Sequence, residues 1–314
     1  MKVAVLIPCY NEELTVEKVV TDFKKELPEA DIYVYDNNSK DRTSELALKA
    51  GAIVRKETEQ GKGNVCRSMF RDIDADVYVM VDGDDTYPAD EVHKLISAVN
   101  EDGADMVIGD RLSNGTYASE NKRGFHNLGN NLVRMLINKI FHNNIQDIMT
   151  GYRAFSKKFV KTNAIMSPGF QIETELTITT LVYRYKVIEI PITYRDRPEG
   201  STSKLNTFSD GFKVLLTLFD LYKDYRPLYF FGFLSLLSFV IGLIVGIPVI
   251  VEFINTAFIT KVPSAILASA LVVVAVLFAM LGLILDHSAN VDKRNHEIMV
   301  NDWIYRNGNE SRNA

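Results

Sequence analysis

Asp82-Gly83-Asp84-Asp85-Thr86-Tyr87-Pro88 crowds three carboxylates into four consecutive residues. They follow Val77-Tyr78-Val79-Met80-Val81, a β-branched and aromatic run that reads as a buried strand. Like charges packed at a strand's carboxyl end repel one another and are costly to hold unless a cation sits between them. A hard divalent ion, Mg²⁺ or Mn²⁺, with a diphosphate on its open positions would meet that need. Gly83 would let the backbone approach a ligand, and Pro88 would start the next helix at its first turn. Taken alone, the run could equally be a solvated acidic turn that caps a helix.

Three further polar clusters follow strand-like runs. Pro8-Cys9-Tyr10-Asn11-Glu12 follows residues 3–7: the proline would end the strand, and the tyrosine could stack on a base. Asp36-Asn37-Asn38-Ser39-Lys40-Asp41-Arg42-Thr43 follows residues 32–35, with Asp36 facing the cleft and Asp41 placed to cap the next helix. Gly61-Lys62-Gly63 opens a helix with one cation near the same rim. Ordinary turn chemistry accounts for Asn38, Ser39 and Asp41, but not for acidic groups ending three successive strands. No GxGxxG or Walker loop is present.

The elements that must position these groups alternate. Short apolar strands are expected at 3–7, 32–35, 52–54, 77–81 and 106–108, and helices at 15–25, 41–50, 63–73 and 89–100. That rhythm predicts a mostly parallel sheet with helices on both faces. Ligands bind such sheets beyond the carboxyl ends of the strands, where all four clusters fall.

In order and spacing these four clusters resemble an inverting family 2 glycosyltransferase, over roughly residues 3–110. The most similar group is the polyprenyl-phosphate glycosyltransferases, which include dolichol-phosphate mannose synthase and bacterial undecaprenyl-phosphate sugar transferases. The resemblance implies an α/β domain of GT-A type, a Rossmann-like nucleotide-sugar domain. It places the nucleotide sugar on Pro8, Tyr10, Asn11, Glu12, Asp36, Lys62, Asp82, Gly83 and Asp84. Within that set Tyr10 and Asp36 would hold the base, and Glu12 and Asp82 the nucleoside. Asp82 and Asp84 would hold Mg²⁺ or Mn²⁺. Many relatives have glutamine where Thr86 stands, so its part in metal binding stays open.

Later segments extend the likeness. Gly109-Asp110-Arg111 follows the fifth strand, and Arg123 precedes an amphipathic pattern over 128–141. Asp147-Ile148-Met149-Thr150-Gly151-Tyr152-Arg153-Ala154-Phe155 resembles the segment that closes the family's active site. Arg197-Pro198-Glu199-Gly200-Ser201-Thr202-Ser203-Lys204 resembles the family's Arg…Gly…Ser-Lys loop. Cations returning to an acidic cleft suit phosphate recognition. Arg111, Arg123, Arg197, Ser203 and Lys204 are therefore the expected acceptor-phosphate residues, and Asp84, Arg111, Arg123 and Arg197 the expected catalytic ones. Scattered surface cations are the alternative, strongest for Arg123 and Arg195.

A net charge of −5 argues against nucleic acid as a partner. Cys9 and Cys66 form no disulfide framework. Residues 3–7 are too short for an export signal, so residues 1–205 are expected as a cytoplasmic domain. Residues 227–251 and 262–285 carry no charge, and each could cross about 30 Å of hydrocarbon as a helix. The expected layout is an interfacial amphipathic helix over 206–226, two transmembrane helices over 227–285 with a short external loop, and a cytoplasmic tail over 286–314. In the amphipathic helix Phe208, Phe212, Leu215, Phe219 and Tyr222 would oppose a polar stripe. The tail is expected to be partly ordered at best, with Trp303 and Tyr305 as docking residues. Lys213, Lys223 and Arg226 precede the spans and Lys293 and Arg294 follow them, while Lys261 alone lies between, which predicts both termini inside.

The expected partners are a nucleotide sugar, a polyprenyl phosphate, the membrane and a second copy in a homo-oligomer. UDP-glucose or UDP-N-acetylglucosamine is the expected donor and undecaprenyl phosphate the acceptor. Two alternatives are a processive polysaccharide synthase and a silent nucleotide-sugar-binding scaffold. Synthases typically carry Gln-x-x-Arg-Trp on an interfacial helix, whereas the single tryptophan here is Trp303.

Overall fold

The computed structural model describes residues 1–113, 115, 124–141, 143–200 and 207–313, with backbone alone for 124–132, 207–211 and 308–313. In chain order the first unit runs β1 (Val3–Cys9), α1 (Val16–Glu26), β2 (Asp31–Asp36), α2 (Thr43–Lys49), β3 (Ile53–Lys56), α3 (Lys62–Asp72), β4 (Val77–Met80), a 3₁₀ turn (Ala89–Glu91), α4 (Val92–Asn100) and β5 (Met106–Asp110). It continues with α5 (Gly124–Phe141), β6 (Arg153–Ser156), α6 (Lys157–Thr162), α7 (Ile172–Val182) and β7 (Val187–Pro191). The strands form one sheet in the order β3-β2-β1-β4-β6-β5-β7. All run parallel except β6, which is antiparallel to β4 and β5.

The sequence dictates the core directly. Val3, Ala4, Val5, Leu6 and Ile7 of β1 are all buried, because β1 lies mid-sheet with helices on both faces. In α1 the buried residues Val16, Val19, Val20 and Phe23 recur at helical spacing. Each is worth about 1.5–3 kcal/mol of burial. Leu27 precedes Pro28, which disfavours helical geometry there and stops the helix. Phe23 meets Tyr152 edge to face at 6.1 Å, tying α1 to the strand-end loop before β6.

The five expected strands and four expected helices of the first half are all present, with small differences at their ends. Pro8 does not end β1: the strand continues to Cys9, and Pro8 pairs with Tyr35 of β2. The β4 ladder stops at Leu6–Met80, so the missing N–H of Pro8 falls where that neighbour has already left. Pro88 lies one residue before the 3₁₀ turn, with extended ψ of 134°, and precedes the helix instead of opening it. The sheet is mostly parallel as expected. The antiparallel β6, and α6, α7 and β7, add to what the sequence reading contains.

The chain divides into two compact units, Met1–Leu218 with Glu297–Ala314, and Phe219–His296. α8 (Thr207–Tyr225) leads from the first into the second. Among its described side chains Val214 and Leu218 are buried, whereas Phe212, Leu215, Leu216 and Phe219 stand exposed. Residues 212, 215 and 219, three of the five expected to oppose the polar stripe, thus form an outward line.

The second unit pairs α9 (Pro227–Thr256) with the first half of α10 (Val262–Asn313). Both are long and apolar enough to cross a membrane. A core helix of a soluble protein would be mostly buried, whereas here Phe233, Leu236, Ile244, Ile254, Val273 and Leu277 are all exposed. Small residues let the two approach: a Cβ at Gly246 would lie 3.2 Å from Ala268 Cβ, and Ser235 Oγ donates to the Ala275 carbonyl at 2.8 Å. Contrary to the expectation of partial order, α10 runs on as helix to Asn313. Residues 286–307 hold no proline or glycine, and i,i+4 pairs such as Arg306–Asp302 at 2.8 Å reinforce that stretch.

Candidate active site

The loops leaving β1 and β2 are stitched into one wall. Asn11 sits at φ 54° and accepts from Lys40 N at 2.8 Å through Oδ1. Its own N–H donates to Ser39 Oγ at 2.9 Å, and Glu12 N donates to Thr43 Oγ1 at 2.8 Å. Asp36 is buried and accepts from Ser39 N at 3.0 Å and Ser44 Oγ at 2.7 Å. Asp41 accepts from Thr43 N at 3.0 Å, which satisfies one orphan donor of α2 as expected. Tyr10 is half-buried beside this wall.

Asn37 joins the wall to the next loop, a role the sequence reading does not assign. Its Nδ2 donates to the Glu57 and Glu59 carbonyls at 3.0 and 2.8 Å, and its Oδ1 accepts from Gly61 N at 2.7 Å. Gly61-Lys62-Gly63 is pressed against the segment before α7. A Cβ at Gly61 would lie 2.2 Å from the Pro168 carbonyl oxygen, and one at Gly63 1.9 Å from that of Ser167. Only glycine fits at either place. Lys62 opens α3, and its position is set by the backbone on both sides.

Lys62 Nζ donates to Asp82 Oδ1 at 2.5 Å and to Glu173 Oε1 at 2.6 Å. Burial alone would raise the Asp82 carboxyl, but the charge and hydrogen bond of Lys62, with Arg197 and Arg111 further off, hold it below the ordinary value. The other oxygen of Asp82 lies over Gly151, where a Cβ would come within 2.2 Å of it. Asp84 has the opposite tendency: burial and the neighbouring Asp82 raise it, and Arg197 only partly offsets them. Thr86 Oγ1 donates to Asp84 Oδ1 at 2.6 Å, and the Arg197 guanidinium sits on Asp84 Oδ2. Arg197 Nη1 also lies 3.9 Å from Glu12 Oε1. Asp85 takes no part in this group: at φ 60° it turns outward and pairs with Lys18 at 2.7 Å.

Gly83 is also required by the packing behind it. A Cβ there would lie 2.6 Å from Cys9 Sγ, so the glycine admits the buried sulfur behind it. Thr15 Oγ1 donates to the Gly83 carbonyl at 2.6 Å and holds the turn from α1.

Arg111 is buried, and Asp147 engages one edge of its fork side-on, Nε to Oδ2 at 2.7 Å and Nη2 to Oδ1 at 2.9 Å. Its Nη1 lies 3.4 Å from Tyr87 OH, which in turn accepts from Gly151 N at 3.1 Å. Arg153, wholly buried, donates to the carbonyls of Thr150 at 3.1 Å and Ile148 at 2.6 Å. Burial lowers its pKa to about 10. Residues 147–153 are thus a rigid turn held by two arginines, with Gly151 under Asp82.

Of the expected site residues, Glu12, Lys62, Asp82, Asp84 and Arg197 converge. Asp36 and Asn11 line the adjoining wall, and Arg111 is joined to them through the 147–151 turn. Arg123, Ser203 and Lys204 lie outside the described residues. Glu173 and Asn37 escape the sequence reading as functional residues, and Asp147 and Arg153 enter it only as part of the segment read as closing the site. Glu173 stands with Glu175 in a helix whose residues 172–180 are all buried, where a carboxylate must have a partner, and the sequence reading placed no helix there.

Among the described residues no three His, Cys, Asp or Glu side chains converge as a metal site. Asp82 and Asp84 offer carboxylate oxygens, a hard donor pair suited to Mg²⁺ or Mn²⁺ when a ligand's phosphates and water complete the shell.

Comparison with known proteins bears on the family and the fold. The family described as "Glycosyl transferase family 2" matches residues 4–163. Glycosyltransferase AglJ of Haloferax volcanii is 33% identical over 285 residues, covering 90% of this chain and 92% of that protein. The dolichyl-phosphate hexose transferase of the same organism is 31% identical and covers 66% of this chain and 88% of its own length. Among solved structures, glucosyl-3-phosphoglycerate synthase from Mycobacterium tuberculosis, in complex with Mn²⁺, UDP and glucosyl-3-phosphoglycerate, superposes with a TM-score of 0.57. At 19% identity, over 70% of this chain and 79% of that one, the likeness is one of fold.

Proposed function

The chain belongs to glycosyl transferase family 2, and we propose that it is a membrane-anchored hexosyltransferase that passes a sugar from a nucleotide donor to a polyprenyl phosphate. The observation that carries this reading is the pair Asp82 and Asp84, each met by a cation from a distant segment, Lys62 and Arg197. Two adjacent carboxylates with two convergent cations suit a diphosphate and its counter-ion on one side and an incoming phosphate on the other. The relative named for hexose transfer to dolichyl phosphate supports the acceptor class. Two exposed apolar helices support the anchor.

In this reading Tyr10 and Asp36 hold the base, and Glu12 and Asp82 the nucleoside. Pro8, Asn11 and Gly83 shape the wall beside them. Asp82 and Asp84 would hold Mg²⁺ or Mn²⁺, which when bound supplies Lewis-acid stabilisation of the departing diphosphate. Arg197 lies on Asp84 and, with Arg123, Ser203 and Lys204, would steady the acceptor phosphate. Arg111, whose fork Asp147 engages, would reach an anion through Nη1. A lipid phosphate is largely ionised at neutral pH, so the chain needs no strong base and must instead bring two anions together. In-line attack inverts the anomeric centre.

For the finer identities we take undecaprenyl phosphate as acceptor, UDP-glucose or UDP-N-acetylglucosamine as donor, and both termini inside. The test is a radiolabelled panel of UDP-glucose, UDP-N-acetylglucosamine and GDP-mannose against undecaprenyl and dolichyl phosphates, with purified full-length protein and either cation. Label should enter the organic phase with one donor and require the cation. Absence of labelled lipid from every pair would refute the activity, and transfer only to dolichyl phosphate would correct the acceptor.

A further inference from the structure

Glu173 stands outside every motif of the family resemblance, yet it is buried against the same ammonium that holds Asp82. Lys62 Nζ lies 2.5 Å from Asp82 Oδ1 and 2.6 Å from Glu173 Oε1, with the Glu173 side chain only 7% exposed. One cation shared between two carboxylates leaves the trio with a net charge of −1. Were Glu173 neutral, Lys62 would answer Asp82 alone and cancel its charge. The position of Lys62 is imposed by Gly61 and Gly63, packed on the Pro168 and Ser167 carbonyls, and Glu173 comes from α7 behind them. Arg153 is a second cation whose charge interacts with that of Glu173. Glu175, on the same helix, fixes the intervening turn by accepting from Met166 N and Ser167 N at 2.8 and 2.7 Å.

We infer that Glu173 is a positioning residue that draws Lys62 partly away from Asp82, so that Asp82 keeps negative charge for an incoming divalent cation. The inference rests on Asp82 and Asp84 being the cation's ligands. Glu173 acts through Lys62 and touches no substrate. Two consequences separate this from a plain structural role. Removing Lys62 should strengthen cation binding, and removing Glu173 should weaken it. The contact itself should matter, since a carboxylate one methylene shorter keeps its charge but cannot reach Nζ.

The test is Mn²⁺ titrated alone into the full-length protein in detergent at neutral pH, without nucleotide, with free Mn²⁺ read by electron paramagnetic resonance. Glu173→Gln should raise the Mn²⁺ dissociation constant roughly tenfold, the scale of one unit charge acting on a divalent cation about 6 Å away through a water-like dielectric. Glu173→Asp should weaken binding to a similar degree, and Lys62→Met should tighten it. In the Lys62→Met background Glu173→Gln should change little, because no shared cation remains to redirect. Thermal unfolding of each variant identifies any that fails to fold, and Lys62→Met and Glu173→Asp then carry the result. Wild-type affinity in Glu173→Asp, or no tightening in Lys62→Met, overturns the inference while leaving the cation site standing. If the wild-type protein binds no Mn²⁺, the cation site itself is refuted and the inference falls with it.

Discussion

Replacing Asp147 with asparagine removes the charge on which a buried guanidinium depends. Asp147 is fully buried and accepts from Arg111 three times, from N at 3.1 Å, Nε at 2.7 Å and Nη2 at 2.9 Å. Breaking a buried ion pair by removing one partner costs about 3–5 kcal/mol. Asparagine keeps one carbonyl oxygen, which restores a neutral hydrogen bond of about 1 kcal/mol. The expected loss is therefore about 2–4 kcal/mol, which for a unit of this size lowers Tm by roughly 4–16 °C. Cys9 and Cys66 are both buried, so a thiol-reactive dye reports the unfolding directly in detergent. The exposed Lys18, paired with Asp22 and Asp85, supplies the control, and Lys18→Ala should cost less than about 1 kcal/mol. Arg111→Met combined with Asp147→Leu should recover most of the loss, because an apolar pair leaves no buried charge. A shift for Asp147→Asn no larger than the control, or no recovery in the double variant, would refute the view that this pair holds the 147–151 turn. A stable but inactive double variant would show that Arg111 also serves the reaction.

Asp84→Asn should reduce transfer by about two to three decades with Tm preserved, whereas Asp85→Asn, at an outward left-handed position that asparagine tolerates, should stay within about threefold of wild type; similar losses in both would dissolve the distinction. Lys62 holds Asp82 below the ordinary carboxylate value of 3.8, so the Asp82 contribution to stability is complete above that pH and is lost as pH falls through the lowered value. Lys62→Met should therefore move the acid-unfolding midpoint to higher pH, and an unchanged midpoint would contradict the pairing. A cysteine at Asn255 should react with an impermeant maleimide on intact cells and one at Asn309 only after permeabilisation, with the buried native thiols silent; the reverse pattern would invert the topology.

The motifs at the strand ends could be read in the sequence because each is local. A strand, a turn residue and a helix start stand within ten or so positions, and their periodicity reports them. Asp82, Asp84, Lys62 and Glu12 were accessible in this way. The carboxylates that Lys62 and Arg111 find far along the chain were not. Lys62 meets Glu173 across 111 positions and Arg111 meets Asp147 across 36, and nothing local marks which carboxylate a buried cation will find. The packing of Gly83 was hidden for a related reason: a glycine that admits Cys9 sulfur from another strand has the same local signature as one that admits a ligand. In α8 the apolar residues surround more than half of the helix, so composition could not say that Val214 and Leu218 would be the buried pair. The helical tail was underestimated because polarity was read as disorder, although the stretch lacks any breaker before Gly308.

The antiparallel strand β6 bears on how this protein is made. β4 and β5 never pair with each other; Arg153–Ser156 fills the gap between them, with Arg153 opposite both Met80 and Ile108. A nascent chain that has not yet released those four residues holds one four-stranded piece and one orphan strand, each with a bare edge that the finished sheet conceals. Such edges are sticky, so the interval between synthesis of β5 and arrival of β6 is when the polypeptide is most exposed to aggregation or chaperone capture. The same threading sets a lower limit on truncation. A fragment ending near residue 150 contains all the acidic motifs yet lacks the strand that joins them to β5, whereas the family match ends at residue 163, just past α6. The smallest heritable piece of this catalytic fold is therefore longer than the stretch that carries its recognisable chemistry.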